Sequence, residues 1–162
     1  NYKNIFSKIG LAIISILFLY NMFIFILLTP YQYTYINSLN GNYSNANKKF
    51  ENDYWGVSLK ELVKKIKREK IFLNHKSVKL AFCGVSHNTI KKYLNEIEGF
   101  DYDYVDYRNE NFDYVIITNR IDESIDNVIL SNVKTCFDKF FGNDIVVVKR
   151  NGLVLSTLRK KN

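Results

Sequence analysis

Cysteine, histidine and proline are scarce in this chain, with two, two and one among 162 residues. Cys83 and Cys136 stand alone without metal-type spacing, and His75 and His87 lack partners at ligand distance in sequence, so no metal site is expected. No Gly-x-Ser-x-Gly elbow and no Ser/His/Asp order occurs, which leaves hydrolase chemistry without support. Seven glycines are present but not at the fixed spacing of a dinucleotide fingerprint, so no cofactor is expected. The basic stretch lacks interleaved aromatics, which argues against nucleic acid. The single proline, beside abundant Asn, Lys, Ile and Tyr, matches the codon bias of an A+T-rich genome and says nothing of mechanism.

Charge is missing from one long run. Residues 9–28 hold no Asp, Glu, Lys or Arg, and only Ser15 and Asn21 are strongly polar. At 1.5 Å per residue, about twenty apolar residues cross a ~30 Å hydrocarbon core, so this segment is read as a transmembrane helix. Lys3 and Lys8 precede it and no Lys or Arg follows until Lys48, an asymmetry that puts the amino terminus in the cytoplasm and the remainder outside. The expected location is the bacterial inner membrane with an extracytoplasmic domain. A signal peptide fits less well, because the run is too long, no small-x-small cleavage site follows Leu28, and the chain begins at Asn1 without methionine. That start is expected of a piece of a longer protein.

The remaining residues suffice for one compact domain. Expected boundaries are a cytoplasmic stub and span over 1–28, an aromatic interfacial loop over 29–57, and an α/β domain over 58–162. Charge divides sharply within that domain: residues 58–92 carry ten Lys/Arg against two Glu, residues 93–145 four against twelve acidic groups. The basic block is a solvated helix face or a surface for anionic membrane lipid or a sugar-phosphate lipid. In an oxidising compartment the two cysteines can pair, but both read as free buried thiols, Cys83 lying in the apolar run Leu80, Ala81, Phe82.

Periodicity sets out the elements. Leu59, Leu62, Val63 and Ile66 fall at helical spacing behind a Ser58/Glu61 capping-box pair, predicting a helix to about Lys70 with a basic outer face. Strands are expected over 78–85, 102–107 and 114–118, with a helix over 88–97 between the first two. A short helix over 131–141 precedes two strands, 145–149 and 153–158, joined at Arg150-Asn151-Gly152, a good hairpin signal. The expected fold is α/β: a small mixed sheet, parallel first and closed by an antiparallel hairpin, with helices packed on it. Phe100, Tyr102 and Tyr104 are expected to point into the core, leaving Asp101 and Asp103 on a solvated face and Asp106 on the other.

Two motifs then stand out: Pro30-Tyr31-Gln32-Tyr33-x-Tyr35-x-Asn37 after the apolar run, and Phe50-Glu51-x-Asp53-Tyr54-Trp55-Gly56-x-Ser58 before the first soluble helix. With the membrane helix and the small α/β tail, they resemble the carboxy-terminal portion of bacterial polytopic glycosyltransferases. These are similar to protein mannosyltransferases that use a dolichyl- or polyprenyl-phosphate sugar donor. Thr29 stands where the family's first motif commonly has histidine. The resemblance implies a parent enzyme with many spans, a lipid-linked sugar donor, and a catalytic base in an early extracytoplasmic loop that this chain does not contain. No catalytic residue is therefore assigned here.

Candidate substrate-binding residues are Tyr31, Gln32, Tyr33, Asn37, Asp53, Tyr54 and Trp55. Indole and phenol rings stack on the CH-rich faces of sugars while a carboxylate accepts hydroxyl protons. The bland alternatives are a tyrosine belt at headgroup depth and a Trp55 anchor with Gly56 permitting the turn. The turn Cys83-Gly84-Val85-Ser86-His87-Asn88, between strand and helix, sits where α/β proteins hold phosphate, yet Ser86 or Asn88 is also explained as an N-cap. The leading functional expectation is the end piece of a membrane glycosyltransferase, with the missing membrane portion and a lipid-linked donor as partners. The alternative is a single-span anchored α/β binding or interaction domain without catalysis.

Overall fold

The computed structural model describes residues 2–31, 53, 56–72, 77–108, 111–120, 135–150 and 152–162. Two compact units divide the chain, 1–35 and 36–162.

The first unit is helix α1, Tyr2–Leu28. Its segment Ile5–Leu28 has a mean hydropathy of 2.7 and only 11% of its most apolar window is buried, so it is long and apolar enough to cross a membrane. Ile14, Phe18, Leu19 and Phe23 are all more than half exposed, which is costly in water and favourable in lipid. Asn21, one of the two polar exceptions, bonds back within the helix, and Thr29 does the same just beyond its end. Asn21 Nδ2 donates to Leu17 O at 2.8 Å and Thr29 Oγ1 to Phe25 O at 3.1 Å, the back-bonding that makes such residues tolerable in an apolar rod.

The second unit is the expected α/β domain. Its elements are α2 (Ser58–Arg68), β1 (Val78–Cys83), α3 (His87–Leu94), β2 (Tyr102–Tyr104), β3 (Tyr114–Thr118), α4 (Cys136–Lys139), β4 (Gly142–Arg150) and β5 (Leu153–Lys161). They build one five-stranded sheet in the order β2-β1-β3-β5-β4. β1 pairs in parallel with β2 and β3, and β5 runs antiparallel to both β3 and β4. The sheet is thus parallel on one side and closed by a hairpin on the other.

Central strands explain the apolar runs. Every residue of β3 is buried, as is every residue of β1 except Lys79, because both faces of these strands are covered. On one face Ala81, Cys83, Val105, Val115, Ile117 and Cys136 form a core cluster, with Tyr107, Phe112, Phe137 and Phe140 packed against it. α2 packs against β4, β5 and α3. Its buried Leu59, Leu62, Val63 and Ile66 make the apolar stripe, and Arg150 Nη2 meets Glu61 at 2.5 Å to tie the helix to the hairpin.

Three expectations are corrected. The two cysteines are not free thiols: Cys83 and Cys136 form a disulfide, because the end of β1 and the start of α4 bring their Cα atoms within 5.7 Å. Sequence spacing alone could not show that approach, since the two lie 53 residues apart. Phe100, Tyr102 and Tyr104 do not fill the core; Tyr104 is 52% exposed and Val105 is the buried residue of that segment. β2 is a three-residue edge strand with little to cover it.

The third correction concerns the start of α2. The Ser58/Glu61 capping box is absent, since Ser58 already lies inside the helix and Glu61 pairs with Arg150. Asp53 performs the capping. Its buried carboxylate accepts from the backbone N–H of Val57 at 3.0 Å and of Ser58 at 3.1 Å, and from the Ser58 hydroxyl. Gly56 makes the intervening turn at φ +63°, where a side chain would be strained and a Cβ would press on Leu59 at 2.8 Å. Asp53→Ala should cost about 2 kcal/mol, because it strips the cap and leaves the buried Ser58 hydroxyl short of an acceptor. Urea unfolding of the micelle-solubilised chain measures this; a loss below about 0.5 kcal/mol, the size of an ordinary surface change, would refute the cap.

Candidate functional site

Three of the connections that follow parallel strands meet at one end of the sheet. Gly84, Val85 and Ser86 follow β1; Asp106, Tyr107 and Arg108 follow β2; Arg120 follows β3. With Phe82, Tyr104 and Cys136 they line an open crevice of about 300 Å³. The chain leaves β1 through α3 towards β2, then returns to place β3 on the other side of β1. That reversal opens a gap between the two loops, the position at which open α/β sheets bind ligands.

Each wall is fixed by bonds outside the crevice. The Thr118 hydroxyl donates to Gly84 O at 2.8 Å, clamping the first turn against β3. Gly84 has φ +78°, and a Cβ there would sit 2.4 Å from Thr118 Oγ1 and 3.0 Å from Arg120 Cβ, so only glycine allows this approach. Ser86 caps α3, its side chain accepting from the N–H of Thr89. Cys136 N donates to Arg120 O at 2.9 Å, and the disulfide joins the same segment to β1. Asp106 accepts from the Arg108 N–H at 3.0 Å, and the Arg108 guanidinium lies over the Tyr107 ring at 5.3 Å.

An aromatic stack borders the crevice. The His87 imidazole is parallel to the Tyr104 ring with centroids 4.4 Å apart, and Phe82 lies 5.7 Å from the same tyrosine. His87 Nε2 is 3.2 Å from the Tyr102 hydroxyl. Desolvation in this stack, and then the charge of Lys91, lower the His87 pKa below its ordinary 6.5. Burial raises the Tyr102 pKa.

The sign follows. With His87 less basic in the fold, the unfolded chain takes the proton first, so the stack's contribution is present above pH 6.5 and is withdrawn as pH falls. The imidazole NMR titration should show a midpoint below 6.5 that moves upward in Lys91→Gln; a midpoint above 6.5 would contradict the desolvated placement.

Of the substrate-binding residues singled out from sequence, the two that are described do not line the crevice. Tyr31 is buried and Asp53 is the helix cap, its carboxylate engaged by Val57 and Ser58. Gln32, Tyr33, Asn37, Tyr54 and Trp55 lie outside the described residues, as does His75. The Gly84–Asn88 turn stands out in the sequence, and Asp106 reads there as part of a solvated strand; nothing in the local pattern marks Arg108 or Arg120. The available signal is a charged residue shortly after β2 and after β3. Among the described residues no group of His, Cys, Asp and Glu is arranged to hold a metal ion.

Comparison with family models, curated proteins and solved structures returned no match for this chain. The class defined by the fold itself is an α/β domain with a mixed five-stranded sheet, preceded by an apolar helix long enough to span a bilayer.

Proposed function

We propose that this chain is the carboxy-terminal portion of an integral membrane glycosyltransferase that passes a sugar from a polyprenyl-phosphate donor to an extracytoplasmic acceptor. The observation that carries the reading is the second motif, Phe50 to Ser58. Its Asp53, Gly56 and Ser58 together start α2, which gives their spacing a structural reason. In this reading α1 is a span, the aromatic segments beyond it rim the donor cavity at the membrane surface, and the α/β domain caps the cavity outside the cell. The disulfide supports an oxidising compartment for that domain. The base that activates the acceptor comes from the part of the enzyme that holds the early extracytoplasmic loop.

With Asp53 occupied in the cap, Trp55 becomes the residue of that motif to test for sugar contact. Trp55→Ala in the full-length enzyme should lower sugar transfer about tenfold, the scale of one lost aromatic anchor, with little change in protein abundance. Parallel transfer assay and immunoblot measure both. Equal losses would assign the ring to folding and remove it from the acceptor side.

A second reading, an anchored binding domain without catalysis, is favoured by the crevice at the ends of β1, β2 and β3. The upstream reading frame separates the two. Further apolar spans and an acidic first extracytoplasmic loop support the transferase, and a start codon directly before Asn1 removes it.

A further inference from the structure

We propose that the crevice between the β1, β2 and β3 loops binds a phosphorylated monosaccharide. Binding at this site is measured without turnover.

Its volume, about 300 Å³, is at the lower end of small-molecule sites. A hexose with one phosphate fits such a space and a dinucleotide does not. The polar lining has the matching chemistry. Arg108 and Arg120 arrive from different strands, and guanidinium groups suit phosphoryl oxygens because their N–H donors fork in one plane. Among the described residues of the lining, two guanidinium groups stand beside the carboxylate of Asp106. The turn through Gly84 and Ser86 adds backbone N–H groups at the positive end of α3, a helix of eight residues.

The other walls suit the sugar. Tyr104, Tyr107 and Phe82 offer ring surface, with Tyr104 half exposed and held flat against His87. Asp106 and the Ser86 hydroxyl are within the same lining and can exchange hydrogen bonds with ring hydroxyls. Rigidity is supplied from outside the site: Thr118 holds Gly84, and the Cys83–Cys136 bond holds the floor. A site fixed in advance spends little ordering entropy on its ligand.

The ligand's phosphoryl group has two possible sources, a soluble sugar phosphate or the head of a lipid-linked one. The test uses the full chain in micelles or nanodiscs, with glucose 1-phosphate, inorganic phosphate and glucose as probes. Glucose 1-phosphate should shift the amide resonances of Val85 to Asn88 and of Arg108, with inorganic phosphate weaker and glucose silent. Arg108→Gln and Arg120→Gln should each weaken binding about tenfold, the scale of one charge-assisted contact. Lys60→Gln, on the exposed face of α2, should leave binding unchanged. Arg108 is exposed, so its variant keeps the test intact even where Arg120→Gln impairs folding. Competition by a polyprenyl-phosphate glucose in nanodiscs assigns the lipid-linked source; binding without such competition assigns the soluble one. No shift with glucose 1-phosphate, an equal response to glucose, or loss on Lys60→Gln in place of Arg108→Gln would overturn the proposal.

Discussion

Replacing Cys83 and Cys136 together by alanine should destabilise the α/β domain by about 4 kcal/mol, the loop-closure value for a 53-residue separation. Alanine is the informative substitute because both sites are buried, and serine would add a buried hydroxyl to the loss of the bond. The link spans the folding problem as well as the sequence. It ties the end of central strand β1 to the start of α4, the helix that leads into the hairpin. On a domain of this size the fall corresponds to a melting midpoint lower by on the order of 10–20 °C. Unfolding of the micelle-solubilised chain, with and without reductant, reads the same quantity by a second route. Matching midpoints for wild type, reduced wild type and the double variant would contradict a structural disulfide.

Much of the fold was legible because its signals are local. The 3.6-residue spacing of Leu59, Leu62, Val63 and Ile66 and the continuous apolar run of β3 each depend on which faces are covered, and the sheet covers them. Gly152 follows β4 in a turn with φ +80°, where the hairpin was expected. The failures share a different cause: they depend on contacts between distant parts of the chain. Tyr102 and Tyr104 alternate like core residues, yet β2 sits at the sheet edge, a fact of strand order that alternation does not encode. Ser58 and Glu61 have capping-box spacing, yet Asp53 caps the helix start and Arg150 draws the glutamate towards the hairpin.

The crevice shows the same division. Its β1 turn was visible because Gly84 and Ser86 sit together between strand and helix, a signal contained in a few residues. Arg108 and Arg120 join that turn only through the 2-1-3 order of the parallel strands. The family resemblance pointed to the membrane-side motifs, and of those residues Asp53 has a structural role, starting the helix that carries the basic face.

That α1 spans the bilayer and delivers the α/β domain to the outside is the claim on which the transferase reading rests. Its length, its charge-free core and its exposed Ile14, Phe18 and Phe23 favour lipid on hydrophobic grounds, and the proposed orientation rests on Lys3 and Lys8. Because both native cysteines are held in the disulfide, a single cysteine introduced elsewhere is the one reactive thiol, and a membrane-impermeant maleimide added to intact cells reports its side directly. Asn45→Cys should label fully from outside and Asn4→Cys only after the membrane is opened. Labelling of Asn4→Cys in intact cells with Asn45→Cys protected, or recovery of both in a soluble fraction, would contradict it.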